Sequence, residues 1–492
     1  MENSERIKRE LEKLSDTLDS SFSDVSIILA AGHGKRIKSE RSKMLHEIWG
    51  KPTVWRVCKA AMEGLSSSNQ IIVVGKKALE VANALGKKRN RVFVFQPEQK
   101  GTGDAVKKAI EHKSLLSFGG NVYVFPGDMG LLSTDTVKNF KAKFDSSDCD
   151  MMVMTGIFEG DPKDNYYGRI VKSKIFPNEV IEIKEHKDIL AMEDEVEYRV
   201  NFRGNIESFT KNELLNIKEF NTGVYAFKIE PLKKYVYEIT DKNIQGEIYI
   251  TDLIKIYNDH GLKVGTSPVT NNNLVIAFNV KSVLKKMEDT FRNIIYNRLK
   301  DIITIDDPED FFIAEETVER IIDLDKKYPM LDISIGKGAY IGEGIVINRG
   351  LQIGRNSVLT GNVRFGENVK VEDDVVMSTY PNQWITIGNN AHIYRNNVIK
   401  GNITIGNNVR IETGVRITGS DESPVKIGNN VLIKGTSYIL GSVIEDDILI
   451  EHSILKKVYV ERVVKKDGSI QPIRYIIPYP EGLDSISQLK YE

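Results

Sequence analysis

Residues 25–36, VSIILAAGHGKR, decide the fold of the first half of the chain: an apolar run ends on a turn holding two glycines and two cations. Similar runs recur at IIVVG (71–75), VFVF (92–95) and NVYVF (121–125), with helix-like text between them. Alternation of buried strands with helices argues a mostly parallel sheet covered on both faces. In such sheets ligands bind beyond the carboxyl ends of the strands, where the glycine-rich turn falls. The pattern predicts a Rossmann-like α/β domain over residues 23–280. Residues 1–22 place Ile7, Leu11, Leu14 and Leu18 at helical spacing and predict one amphipathic helix ahead of it.

A different texture begins near Ile333, where an aliphatic or aromatic residue falls at every sixth position: Ile335, Ile341, Ile347, Ile353, Leu359, Phe365 and Val371. The period resumes after TYPNQW with Ile387, Ile393, Ile399, Ile405, Ile411 and Ile417, and after SDESP with Ile427, Ile433 and Ile439. Glycines such as Gly336, Gly354, Gly388 and Gly406 follow directly and are expected at the tight corners of a triangular solenoid. The reading is a left-handed parallel β-helix of hexapeptide repeats over 333–457, joined by connecting helices (281–332) and closed by a cap (458–492). A stacked apolar core explains this pattern as scaffold, without an active site.

Over 492 residues, 68 Lys and Arg oppose 69 Asp and Glu, a formal net charge of -1, so no global field recommends a nucleic-acid or anionic-membrane partner. Phosphate binding must then be local. Two cysteines make no disulfide framework and have no metal-ligand spacing. The charged first twenty residues lack a signal-peptide core and no segment reads as a membrane span, so a cytoplasmic protein is expected.

The text LAAGHGKRIKSERSKMLHEIWGKP (29–52) suits a phosphate cradle. Gly32 and Gly34 let backbone N–H groups approach anionic oxygens, while Lys35, Arg36 and Lys43 supply positive charge. His33, inside the loop, is assigned no chemical role. This segment resembles the loop of sugar nucleotidyltransferases, particularly the bacterial UDP-N-acetylglucosamine pyrophosphorylase family, whose pattern is L-A-A-G-x-G-T-R-M followed by P-K-x-L-H. Lys35 stands where the family has Thr, and Ser42 where it has Pro before Lys43.

The resemblance continues in the family's order. QPEQKGTGDA (96–105) is similar to its base-reading segment, which implies that Gln96, Gly101 and Thr102 join Leu29, Ala30, Ala31, Gly32 and Gly34 in holding the nucleotide. FPGDMGL (125–131) resembles G-D-x-P-L, and AFNVKSVL (277–284) the segment with the family's second metal ligand, implying Asp128 and Asn279 around Mg²⁺. YYGRI (166–170), VIEIKEHKDI (180–189) and EFNTGVYAF (219–227) imply sugar contacts at Gly168, Glu185 and Asn221, and QGEIYITDLI (245–254) matches a further family segment. Between Glu185 and Asn221 the chain is longer than the family pattern, by text including AMEDEVEYRVNFRGNIESF.

The resemblance implies in-line attack of a sugar-1-phosphate, N-acetylglucosamine-1-phosphate foremost, on the α-phosphorus of UTP. Arg36 and Lys43 are the expected catalytic cations. No general base is needed, because the nucleophile is already ionised. The family's acetyltransferase segments, H-L-S-Y, N-I-G-A-G-T and N-Y-D-G, do not occur here, and His392 and His452 stand outside any such context. Acetyl transfer is therefore expected to be absent, and the resemblance implies a β-helix that assembles a homotrimer or binds a partner. Rival readings are another nucleotide or sugar, unrecognised acetyl transfer, or a non-catalytic regulatory subunit of the same architecture. Retention of Lys43, Asp128 and Asn279 argues against the last.

Overall fold

The computed structural model describes residues 2–474 apart from His33, Pro177, Asn178 and 242–245, and divides into two units, Met1–Glu288 and Asp289–Glu492. Gln245, at the head of one quoted segment, and most of the expected C-terminal cap lie outside the described residues.

The first unit is built on β1 (Asp24–Ala30), β2 (Gln70–Val74), β3 (Arg91–Phe95), β4 (Asn121–Pro126), β5 (Met151–Ile157), β6 (Arg169–Lys172), β7 (Val180–Lys184), β8 (Tyr198–Phe202), β9 (Asn205–Phe209), β10 (Glu219–Lys228) and β11 (Val264–Pro268). The main sheet runs β11-β5-β10-β4-β1-β2-β3, with β6 joined to β10 and β7 to β6. The four strands expected from the apolar runs are mutually parallel. β10 runs antiparallel to β4 and β5, so the other half of the sheet is mixed.

Alternate residues of each central strand serve opposite cores, as the pleat requires. Val25, Ile27, Ile71 and Val73 pack with Val106 and Ala109 of helix Thr102–Ile110. Ile28, Ala30, Ile72 and Val74 pack with Val54, Val57 and Ala61 of helix Thr53–Gly64. Both faces are thereby covered. The N-terminal helix spans Glu2–Leu14 and stops short of the expected residue 22. Its end is set by the sheet edge: the Asp16 N–H donates to Arg91 O at 2.7 Å, and the Phe93 N–H donates to Ser15 Oγ at 2.9 Å. An edge strand's unpaired backbone groups are satisfied this way.

In the second unit, short strands stack into three parallel sheets, the faces of a left-handed β-helix. Ile335 pairs with Ile353 and Ile353 with Val371, 18 residues per coil, or three hexapeptides. Every hexad residue named above is at most 4% exposed. The ladder starts earlier than expected, since Thr304–Ile305 and Phe312–Ile313 pair with Ser334–Ile335 and Tyr340–Ile341, with helix Glu315–Asp325 following them. It also ends later, at Ile473–Arg474 against Ile450–Glu451.

The glycines after the apolar position have a different role from the one expected. Left-handed corners fall two residues further on, at Gly338, Asn356, Asn368, Asn390, Asn408 and Asn430. Gly354 is required by close approach: a Cβ there would lie 2.4 Å from the Glu372 carbonyl carbon of the next coil. Among the described residues no helix is long and apolar enough to cross a membrane.

Candidate active site

The carboxyl ends of β1 and β4 carry the loops that matter. Leu29 and Ala30 close β1, and the Gly127 N–H donates to Leu29 O at 3.0 Å, fixing the turn that presents Asp128. Gly34 has φ 67°, and a Cβ there would lie 2.8 Å from Lys43 Cβ, so only glycine lets the loop fold back on Lys43. Ala30, Ala31, Gly32 and Ser42 line a small cavity together with Lys76 and Lys77. A larger cavity of about 320 Å³ lies on the β-helix, against Arg355, Lys370 and Glu372, and holds none of the motif residues.

Lys43 is the centre of the site. Its ammonium contacts Asp128 Oδ2 and donates to Asn279 Oδ1 at 2.8 Å. The Phe278 ring centroid lies 5.3 Å from the same nitrogen. Residues 85 and 236 positions away in sequence thus meet one lysine that is only 7% exposed. A carboxylate and an amide oxygen converging on one cationic point suit Mg²⁺, a hard ion that takes one or two protein ligands and completes its shell with water and phosphates. Arg36 is not drawn into this cluster; it is exposed on the 3₁₀ turn Lys35–Ile37 and makes no ion pair among the described residues.

The nucleotide segment is knitted to the loop on one side and to residues 248–250 on the other. Gln99 Nε2 donates to Ala31 O, and the Ile248 N–H donates to Lys100 O at 2.7 Å. Gly101 has φ 114° and a Cβ there would fall 2.3 Å from Ile248 O. Thr102 Oγ1 accepts from the Ile250 N–H at 3.2 Å. Gln96 is buried, and its amide donates to Asp104 Oδ2 at 2.7 Å and Gly101 O at 3.3 Å. Its donors therefore brace the turn, which leaves Oε1 as the atom free to accept.

The three expected sugar residues also meet. The Asn221 N–H donates to Gly168 O at 2.9 Å, and a Cβ on Gly168 would lie 3.0 Å from Glu185 Oε1. Asn221 and the buried Tyr225 hydroxyl bond each other's polar atoms at 2.9 and 3.1 Å. Burial raises the Glu185 carboxyl above its ordinary range, helped by Asp188 and Asp252. Asp252 is itself pushed up to about 6 by burial and by Glu182 and Asp188. Neither Asp252 nor Arg169 is singled out by sequence, although both fall in quoted motifs. Fully buried Arg169 donates to Pro162 O and Asn165 O and so splints the loop that delivers Gly168.

The residues between Glu185 and Asn221 form a packed module on β6 and β7. The β8–β9 hairpin turns at Arg203 and Gly204, both at positive φ, and Phe202 and Phe209 share a core with Ile189, Leu214, Val171 and Ile181. Ile189 belongs to helix His186–Leu190, whose N-cap is Glu185.

Residues 26–170 match the family model of the MobA-like NTP transferase domain. The bifunctional protein GlmU of Clostridium kluyveri (strain ATCC 8527) is 32% identical over 359 residues, covering 72% of this chain and 69% of that protein. The chain belongs to the GlmU family. The GlmU of Clostridium tetani is 35% identical over 289 residues, 58% of this chain and 57% of its own length. A solved putative glucose-1-phosphate thymidylyltransferase from Bacillus anthracis is 16% identical, covering 54% of this chain and 94% of that one, with a TM-score of 0.39. Membership of the GlmU family and the matched NTP transferase domain make the first unit a nucleotidyltransferase.

Proposed function

We propose that the protein transfers a uridylyl group from UTP to a sugar-1-phosphate, N-acetylglucosamine-1-phosphate above others, releasing pyrophosphate. The observation that carries this reading is the meeting of Lys43, Asp128 and Asn279 at the carboxyl edge of the sheet. Asp128 and Asn279 would hold Mg²⁺, which supplies charge neutralisation at the α-phosphate when bound. The backbone around Gly32 and Gly34 cradles the triphosphate, and Gln96, Gly101 and Thr102 hold the base. Gly168, Glu185 and Asn221 orient the sugar so that its phosphate oxygen faces the α-phosphorus in line with the leaving pyrophosphate. Positioning and fixed positive charge then do the work, since an ionised phosphate needs no proton removed. Arg36, exposed at the loop, is read as closing on the phosphates once they are bound.

The β-helix is read as an assembly element without acetyltransferase activity. One face supports this. Over four successive coils its outward row, in register, is Tyr340, Val358, Val376 and Val398, with Arg416 next, whereas the same coils of a second face carry Ser334, Gln352, Lys370 and His392. An apolar external row along one side of a soluble solenoid is what a homotrimer contact supplies. The test is product analysis with Mg²⁺, each nucleoside triphosphate and a panel of sugar-1-phosphates. UDP-N-acetylglucosamine as the main product supports the proposal; a different nucleotide or sugar as the clear preference overturns its substrate assignment.

A further inference from the structure

We propose that Lys43 is a built-in competitor of the metal, so that binding a divalent ion requires its ammonium to leave Asp128 and Asn279. This rests on the reading of those two residues as the metal's ligands. The ammonium contacts Asp128 Oδ2 and lies 2.8 Å from Asn279 Oδ1, so the two oxygens that would hold the ion already face one charge. A divalent cation held by these same two groups would face the ammonium at close range, and like charges repel strongly in a buried setting. The Lys43 and Asp128 side chains are only 9% and 12% exposed, so water does little to screen that repulsion. Displacement costs an ion pair but delivers a free cation beside Gly34, the loop that cradles the triphosphate. Metal loading and the supply of positive charge to the phosphates thereby become one event. The nucleotide in turn gives the displaced ammonium a new partner, so metal and nucleotide should favour each other's binding.

The experiment is Mn²⁺ titration of the whole protein without nucleotide, followed by the paramagnetic resonance of free Mn²⁺. Lys43→Met should bind Mn²⁺ roughly tenfold more tightly than the parent, or better, because the competing charge is gone. Equal or weaker binding in Lys43→Met overturns the proposal. A second readout needs no variant: amine acylation followed by peptide mapping should show Lys43 labelled faster as Mn²⁺ is added, and an unchanged labelling rate at saturating Mn²⁺ also overturns it. Asp128→Asn tests the ligand reading by itself. If that variant binds Mn²⁺ as well as the parent, the ligand assignment fails; if it loses Mn²⁺ while Lys43→Met shows no gain, the competition alone fails.

Discussion

Asp252 opens helix Asp252–Asp259 with Glu182 and Asp188 as acidic neighbours, and burial foremost raises its carboxyl from 3.8 to about 6. For an acid raised by folding, the native state holds more protons than the unfolded chain between those values. Its favourable contribution is complete below pH ~4 and is lost as pH rises through about 6. Asp252→Asn removes the titrating group, so its stability relative to the parent should improve from pH 4 to pH 7.5 in denaturant titrations. A pH-independent difference would contradict the assignment. Burial raises the Glu185 carboxyl in the same way, with Asp188 and Asp252 as its acidic neighbours. Lys43, Asp128 and Asn279 were legible because each sits in a short motif with a fixed place in the chain order. Asp252 was not, since an Asp before a helix reads as an ordinary first-turn acid and only the tertiary neighbourhood shows the crowding.

On the proposed function, the module between Glu185 and Asn221 shapes the acceptor pocket. Helix His186–Leu190 is anchored through Ile189 to Phe202 and Phe209, and it begins at Glu185, so the module's packing sets where that carboxylate points. Phe209→Ala should cost about 3–5 kcal/mol of local packing. The expected kinetic result is a raised KM for the sugar-1-phosphate with little change in the nucleotide KM; an unaltered sugar KM would make the module a surface decoration. Its hairpin was not read from the sequence, although Tyr198, Val200 and Phe202 alternate ahead of an Arg203-Gly204 turn. The antiparallel course of β10 was not readable, since strand direction is set by connections that the apolar pattern of EFNTGVYAF does not encode. The N-terminal helix shows the same limit: its spacing fits as far as Leu18, but hydrogen bonding to β3 claims Ser15 and Asp16 first.

Across the whole molecule, the hexapeptide period is the feature that survives best, because each hexapeptide repeats one buried position and any slip would expose it. Within the hexapeptide run, the long spacings Val371 to Ile393 and Ile411 to Ile433 absorb TYPNQW and SDESP as loops without breaking the register. Gln383 in the first loop donates to Asp421 in the second at 3.2 Å, so the loops meet. Corner chemistry was misread at the glycines, because the contact that forbids a side chain comes from the next coil, 18 residues away, and not from the local turn. If the outward row at Val376 is a subunit contact, Val376→Asp should lower the mass seen by light scattering to that of one chain, and an unchanged trimer mass would place the interface elsewhere. The proposed uridylyl transfer is tested by pyrophosphate release from UTP and N-acetylglucosamine-1-phosphate with Mg²⁺, parent against Asp128→Ala. Release by the parent is expected, with a loss of roughly 10²- to 10³-fold or more in the variant. Folded parent protein that releases no pyrophosphate, or an Asp128→Ala variant as active as the parent, would contradict it.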